Sequence, residues 1–241
     1  DAVSDARDLY VNMSSYKIQG QAMLECALTH APEGGKLIWV SPSPNNSSFI
    51  GKRNGIEWCM EHYDRYSKFE IIDTLYTEDD PEKGYSMALS AMQANPDLAG
   101  FISGSGMTNP SMNKAIMDAG RTGEVFCTGA AIPSTMTEYL EKGVCEEFTL
   151  WSPKLLGYMA TYIGIKEKRG EIDIEEGATI DIPNVGKRTV KMTDNGLQIY
   201  LNKMQFFRKG HGNYETGLSM SKVLEEKGVK LANELAAELG E

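Results

Sequence analysis

The sequence predicts an α/β fold, a doubly wound parallel sheet with helices on both faces. Three observations carry that prediction. Residues 95–143 hold two complete turns of one unit: an apolar run (LAGFISG, then EVFCTG), a small-residue loop, and a segment with helical spacing. The same order recurs from about residue 9 to residue 168. The apolar runs are short and bounded by Gly, too short for helices and suited to buried strands, and strict strand–helix alternation is the signature of a parallel sheet covered on both sides.

Each element follows from local chemistry. Residues 1–8 are polar and acidic, and LYVNMS (9–14) reads as a strand. Residues 16–30 carry Ile18, Ala22 and Cys26 on one helical face, and Pro32 with Gly34 and Gly35 ends that helix. KLIWVSP (36–42) is the next strand, and the Pro/Asn/Ser-rich stretch after it is a loop. A helix is expected over about 49–66, with Ile56, Met60 and Tyr63 on one face, then the strand FEIIDTLY (69–76) and the acidic turn TEDDP. Pro81 opens a helix whose Tyr85, Ala88, Leu89 and Met92 mark a buried face. Asn109 is expected to cap the following helix, with Pro110 at its first position and Gly120 at its end. After the second unit, which ends at Gly143, come a strand over 146–151 and a helix from Pro153 to about Lys168. Beyond Gly170 the pattern changes to apolar/polar alternation around Asn184, Val185 and Gly186, which reads as a hairpin or extended excursion, and QIYLN offers one more strand. Residues 220–239 have the spacing of a terminal helix.

Composition narrows the function classes. The chain has 241 residues, with 24 basic against 34 acidic side chains and a net charge of −10, which argues against a nucleic-acid or anionic-membrane surface. No apolar run approaches the roughly 18 residues of a membrane span. Residues 1–20 lack the basic and apolar regions of a signal peptide, so a cytosolic or already processed chain is expected. Cys26, Cys59, Cys127 and Cys145 show no CxxC spacing, and His30, His62 and His211 form no metal-ligand pattern; the cysteines read as buried free thiols, and neither metal nor cofactor is expected.

In an open parallel sheet, ligands sit outside the carboxyl ends of the strands. Three loops fall there: 43–48, 103–107 and 128–133. All are small or neutral polar and hold no acid, base or nucleophile pair, so they can bind hydroxyls but cannot run acid–base catalysis, and an enzyme is not expected. Gly104–Ser105–Gly106 lacks the third glycine of a dinucleotide fingerprint, no phosphate-binding GxxxxGK[ST] occurs, and Cys127 has no histidine placed to serve it. Trp151, at the end of the last sheet strand, is either an exposed aromatic that stacks on a sugar face or a core residue.

The runs NPDLAGFISG, AIMDAG, TGAAIPSTMTEYLEKG and FTLWSPKLLGY resemble, in this order, the second lobe of a type I periplasmic sugar-binding protein, the solute receptor of an ABC importer. Within that family they are most similar to the rhamnose and autoinducer-2 branch. The resemblance covers about residues 1–170. It implies two doubly wound lobes joined by three crossovers, closing on ligand like a hinged trap. It also implies that residues 1–14 are a remnant of lobe 1 with the first crossover, 15–151 the ligand-binding lobe 2, 152–218 a return segment with the hinge, and 219–241 an added C-terminal helix, most of lobe 1 being absent. Carried over by position, the ligand contacts fall on Asn45, Asn46 and Ser47, on Gly104, Ser105 and Gly106, on Ala130 and Ala131, and on Trp151, with Asp1 from the lobe-1 side. Glycine and alanine, where pentose and hexose receptors carry Asn, Asp or Arg, suit a small or partly apolar ligand such as a deoxysugar or autoinducer-2. The implied partners are that polyhydroxylated ligand, the membrane subunits of an ABC permease, and a second chain if one replaces the missing lobe; nucleic acid is not among them. The implied location is periplasmic or membrane-anchored outside the cell. The effector domain of a LacI-type transcription regulator, and a truncated lobe that no longer binds, are the alternatives.

Overall fold

A computed structural model describes residues 4–210. In chain order the elements are β1 (Tyr10–Asn12), α1 (Tyr16–His30), β2 (Gly35–Ser41), α2 (Ser47–His62), β3 (Phe69–Tyr76), α3 (Pro81–Ala94), β4 (Leu98–Ser103), α4 (Asn109–Asp118), β5 (Phe126–Gly129), α5 (Pro133–Glu141), β6 (Glu147–Trp151), α6 (Pro153–Lys168), β7 (Thr179–Ile182), β8 (Gly186–Thr189), β9 (Lys191–Thr193), β10 (Gly196–Tyr200) and β11 (Met204–Arg208). Asp1 and the helix expected over 220–239 lie outside the described residues.

Two compact units emerge. The described residues up to Ser15, together with Trp151–Lys203, form the smaller; Tyr16–Leu150, with the described residues from Met204 onward, form the larger. The chain therefore passes between them three times. Met204–Arg208 falls in the larger unit, inside the span 152–218 that the resemblance assigns to a return segment.

The larger unit is the predicted doubly wound sheet. Its strands run in the order β3-β2-β4-β5, every neighbouring pair parallel. A parallel bridge between Ala130 and Thr149 extends it to β6, which pairs with β11. Successive side chains of a strand point to opposite faces, so one strand feeds two cores. Leu37 and Trp39 enter one core with Met23, Leu24 and Ala27 of α1 and Ile56 and Cys59 of α2. Ile38 and Val40 enter the other with Ala88 and Met92 of α3, Met112 and Ile116 of α4, and Met136 and Leu140 of α5. All four cysteines are buried, and none is in a disulfide.

Two helix boundaries differ from expectation. α2 starts at Ser47 because Asn46 caps it, its side chain accepting from the Ser48 amide, and it ends at His62 rather than near residue 66. Tyr63 and Tyr66 continue the helical spacing only in sequence; in space the chain leaves the helix at Tyr63, and Tyr66 is buried with its hydroxyl donating to Glu25 at 2.6 Å. α4 is preceded by Thr108 and makes no side-chain cap, so Asn109 is not the cap its position before proline suggested. α3 begins as expected, with Asp80 accepting from the amides of Glu82 and Lys83 at 2.8 and 3.2 Å.

The smaller unit has a sheet of order β1-β10-β9, with β1 and β10 parallel and β10 and β9 antiparallel. The alternation around Asn184 is the antiparallel β7–β8 hairpin, with Asn184 in the left-handed region at a φ of 64°. Met159 and Ile163 of α6 pack with Ile180, Ile182, Val185, Val190, Ile199 and Leu201 into its core.

Candidate functional site

The carboxyl ends of β2, β4 and β5 place the three predicted loops along one edge of the larger unit's sheet. In the first loop, Asn45, Asn46 and Ser47 are exposed, and the side-chain oxygen of Asn46 is committed to the Ser48 amide. In the second, Gly104 lies directly on the core: a Cβ there would come within 2.6 Å of Cη2 of Trp39 and 2.8 Å of Cδ1 of Phe49. Ser105 is buried, and its hydroxyl donates to Oδ1 of Asp79 while accepting from the Met107 amide at 3.2 Å. Ser103 holds the loop from below, donating to the Ser105 carbonyl at 2.8 Å and accepting from the Ser105 amide at 3.2 Å.

The third loop begins at Gly129, whose φ of 104° only glycine adopts readily. A Cβ there would also lie 2.3 Å from the Ser103 carbonyl oxygen. This turn lets the Ala130 amide donate to Ser103 at 2.8 Å, joining the second and third loops. Ala130 and Ala131 are buried, at 3% and 0% exposure, so they contribute backbone and shape rather than side-chain chemistry. Beneath them, the Asn109 amide donates to the carbonyls of Thr128 and Ala130, both at 3.1 Å, and its oxygen accepts from Asn113 at 2.8 Å. Asn109 is thus a strut under the third loop. Ile132 and Met107 stand at the surface on either side of Gly106, at 42% and 55% exposure, with Ile132 Cγ1 3.3 Å from where a Gly106 Cβ would be.

Gly104, Ser105, Gly106, Ala130 and Ala131 are therefore brought together, with Asn45–Ser47 on a neighbouring loop of the same unit. Trp151 is half-buried at the end of β6 and belongs to the smaller unit. Cys127 is buried beside this edge, and burial pushes its thiol well above the ordinary range, which leaves it a neutral thiol rather than a nucleophile.

Sequence reasoning missed one charged residue here. Lys52 of α2 is 3% exposed, and its Nζ donates to the Gly104 carbonyl at 3.3 Å and lies 4.3 Å from the Phe49 ring centroid. Burial lowers its pKa to about 8, opposed by the nearby charge of Asp79. The available signal was spacing. Lys52 stands three residues after Phe49 and four before Ile56, on the helix's apolar stripe, where a solvated lysine is out of place.

A doubly wound sheet whose strand-end loops present glycine, alanine and neutral polar groups defines a small-molecule binding fold. The chain belongs to the periplasmic binding protein domain family, whose sequence model matches residues 1–172. Among solved structures it is similar to a sugar ABC transporter protein of Actinomyces odontolyticus, with 28% identity and a TM-score of 0.77 over 86% of this chain and 66% of that one. It also shares its fold with a solute-binding protein of Clostridium phytofermentas with bound L-rhamnose (21% identity, TM-score 0.76, 90% of this chain and 69% of that one). The LsrB protein of Clostridium saccharobutylicum in complex with AI-2 is similar in the same way (21%, 0.73, 87% and 70%). The chain thus spans 66% of the first of these proteins. No helix among the described residues is long and apolar enough to cross a membrane.

Proposed function

We propose that this chain captures a small sugar or sugar-like ligand, without catalysis, as the solute-binding component of an ABC importer on the outer side of the cell membrane. The observation that carries the reading is the strand-end edge of the larger unit. Two of its loops are locked to each other through Ala130 and Ser103, braced by Asn109, and lined by backbone and small side chains. Rigid amides and carbonyls suit hydroxyl recognition, because preorganised groups lose little freedom on binding. The ligand we favour is a rhamnose-like deoxysugar or autoinducer-2. Exposed Met107 and Ile132 offer apolar contact for a methyl group, and structures of the same fold hold L-rhamnose and AI-2. In this reading Asn45, Asn46, Ser47, Gly104, Ser105, Gly106, Ala130 and Ala131, all of the larger unit, contact the ligand.

Calorimetric titration with L-rhamnose, autoinducer-2, ribose and galactose tests this. Rhamnose or autoinducer-2 should saturate the protein, and the two ordinary sugars should bind more weakly. A protein that unfolds cooperatively yet binds none of the four would overturn the proposal.

A further inference from the structure

We infer that Lys52 is a positioning residue for ligand recognition: with Asp79 it fixes the backbone of residues 104–105 in the conformation that the ligand meets. The inference rests on the function proposed above and goes beyond it, because Lys52 is not among the ligand-facing residues.

Two neighbouring residues of one loop are held by opposite charges from two different elements. From α2, the Lys52 ammonium donates to the Gly104 carbonyl. From the turn between β3 and α3, the Asp79 carboxylate accepts from the Ser105 hydroxyl. The turn adopts an uncommon backbone to do so, since Glu78 and Asp79 are consecutive non-glycine residues at φ of 57° and 56°. Its other acids are engaged elsewhere: Glu78 pairs with Lys83 at 2.7 Å and Asp80 caps α3. A carbonyl asks only for a neutral donor, whereas a buried ammonium is costly. What the charge adds is a stronger and more directional hold on the carbonyl in a site of low polarity. With the Gly104 carbonyl drawn inward to Lys52 and the chain pressed on Trp39, the adjacent peptide groups have one orientation to offer.

The groups packed against Lys52 make its titration readable. The Asp79 charge opposes the effect of burial, Phe49 is neutral, and residues 103–107 carry no ionisable side chain.

The test uses the full chain and L-rhamnose as the probe, with Lys52→Met, Lys52→Arg and Asp79→Asn, and reads affinity, melting temperature and the ligand-free amide spectrum. Lys52→Met should lose about tenfold or more in affinity, the worth of one charged hydrogen bond, while its melting temperature holds or rises. Lys52→Arg should recover most of the loss. Wild-type affinity should decline as the pH rises through about 8, and that of Lys52→Met should stay flat. The ligand-free resonances of residues 104–107 should move in Lys52→Met and Asp79→Asn. Wild-type affinity in Lys52→Met, or a loss matched by a fall in melting temperature with no wild-type pH profile, would overturn the inference. If the wild type does not bind rhamnose, the ligand assignment fails, and the ligand-free spectrum decides this inference: unmoved resonances in both variants would sink it.

Discussion

Gly104 and Lys52 show how much of the site is set by single residues. At Gly104 the chain approaches Trp39 and Phe49 so closely that one methyl group has no room. Gly104→Ala should therefore destabilise by roughly 1–3 kcal/mol, as overpacking does, and should shift the emission of Trp39. Chemical denaturation followed by fluorescence would check both, and unchanged stability would show that the loop can lift off the core. The glycines of this loop and of the TG step before Ala130 were legible in the sequence as turn residues, but their reason was not. Gly129 is required by a φ of 104° and Gly104 by the rings beneath it, and only the second depends on residues more than fifty positions away. Lys52 was hidden because lysine is ordinarily a surface residue, so its position on an apolar stripe was outweighed by its type.

At the level of elements, period and punctuation marked the strands and helices but not what one residue between them does. Asn109 stands before proline at a helix start, where a capping role is the ordinary expectation. It instead reaches from α4 to the carbonyls of Thr128 and Ala130, a contact no local pattern encodes. Asn109→Ala removes both hydrogen bonds in a buried place and should cost on the order of 2–3 kcal/mol in urea unfolding. Asn109→Asp keeps the size but replaces the donor with an acceptor facing two carbonyl oxygens, and should be at least as damaging. If Asn109→Ala proved neutral, the strut would be dispensable. The end of α2 was misjudged for a related reason: Tyr63 and Tyr66 continue a three-residue spacing beyond the helix, and Tyr66 is drawn inward by Glu25.

At the scale of the whole molecule, acid sensitivity has an identifiable source. His30 at the end of α1 donates through Nδ1 to the Cys26 carbonyl at 2.7 Å and accepts at Nε2 from the Glu146 amide at 2.8 Å, which requires the neutral ring. Burial lowers its pKa below the ordinary 6.5, although Glu146 and Glu147 pull the other way. A group depressed in the folded state stabilises fully above its unfolded pKa, so this contribution should be lost as the pH falls below about 6.5. Melting temperature against pH should decline more steeply for the wild type than for His30→Gln in that window; parallel curves would remove His30 as the cause. The doubly wound sheet was legible because its units are contiguous in sequence. The smaller unit was legible only in pieces, since β1 pairs with β10 across nearly the whole described chain, Tyr10 opposite Gln198. That pairing has a consequence for biosynthesis. β1 is made before the β2–β5 sheet, yet its partner follows only after that whole sheet, an interval of roughly 10–40 s at ordinary elongation rates. Until β10 is made, the larger unit's sheet can form while β1 has its ladder groups unmatched, which makes the closing of this pair the step most open to misassembly.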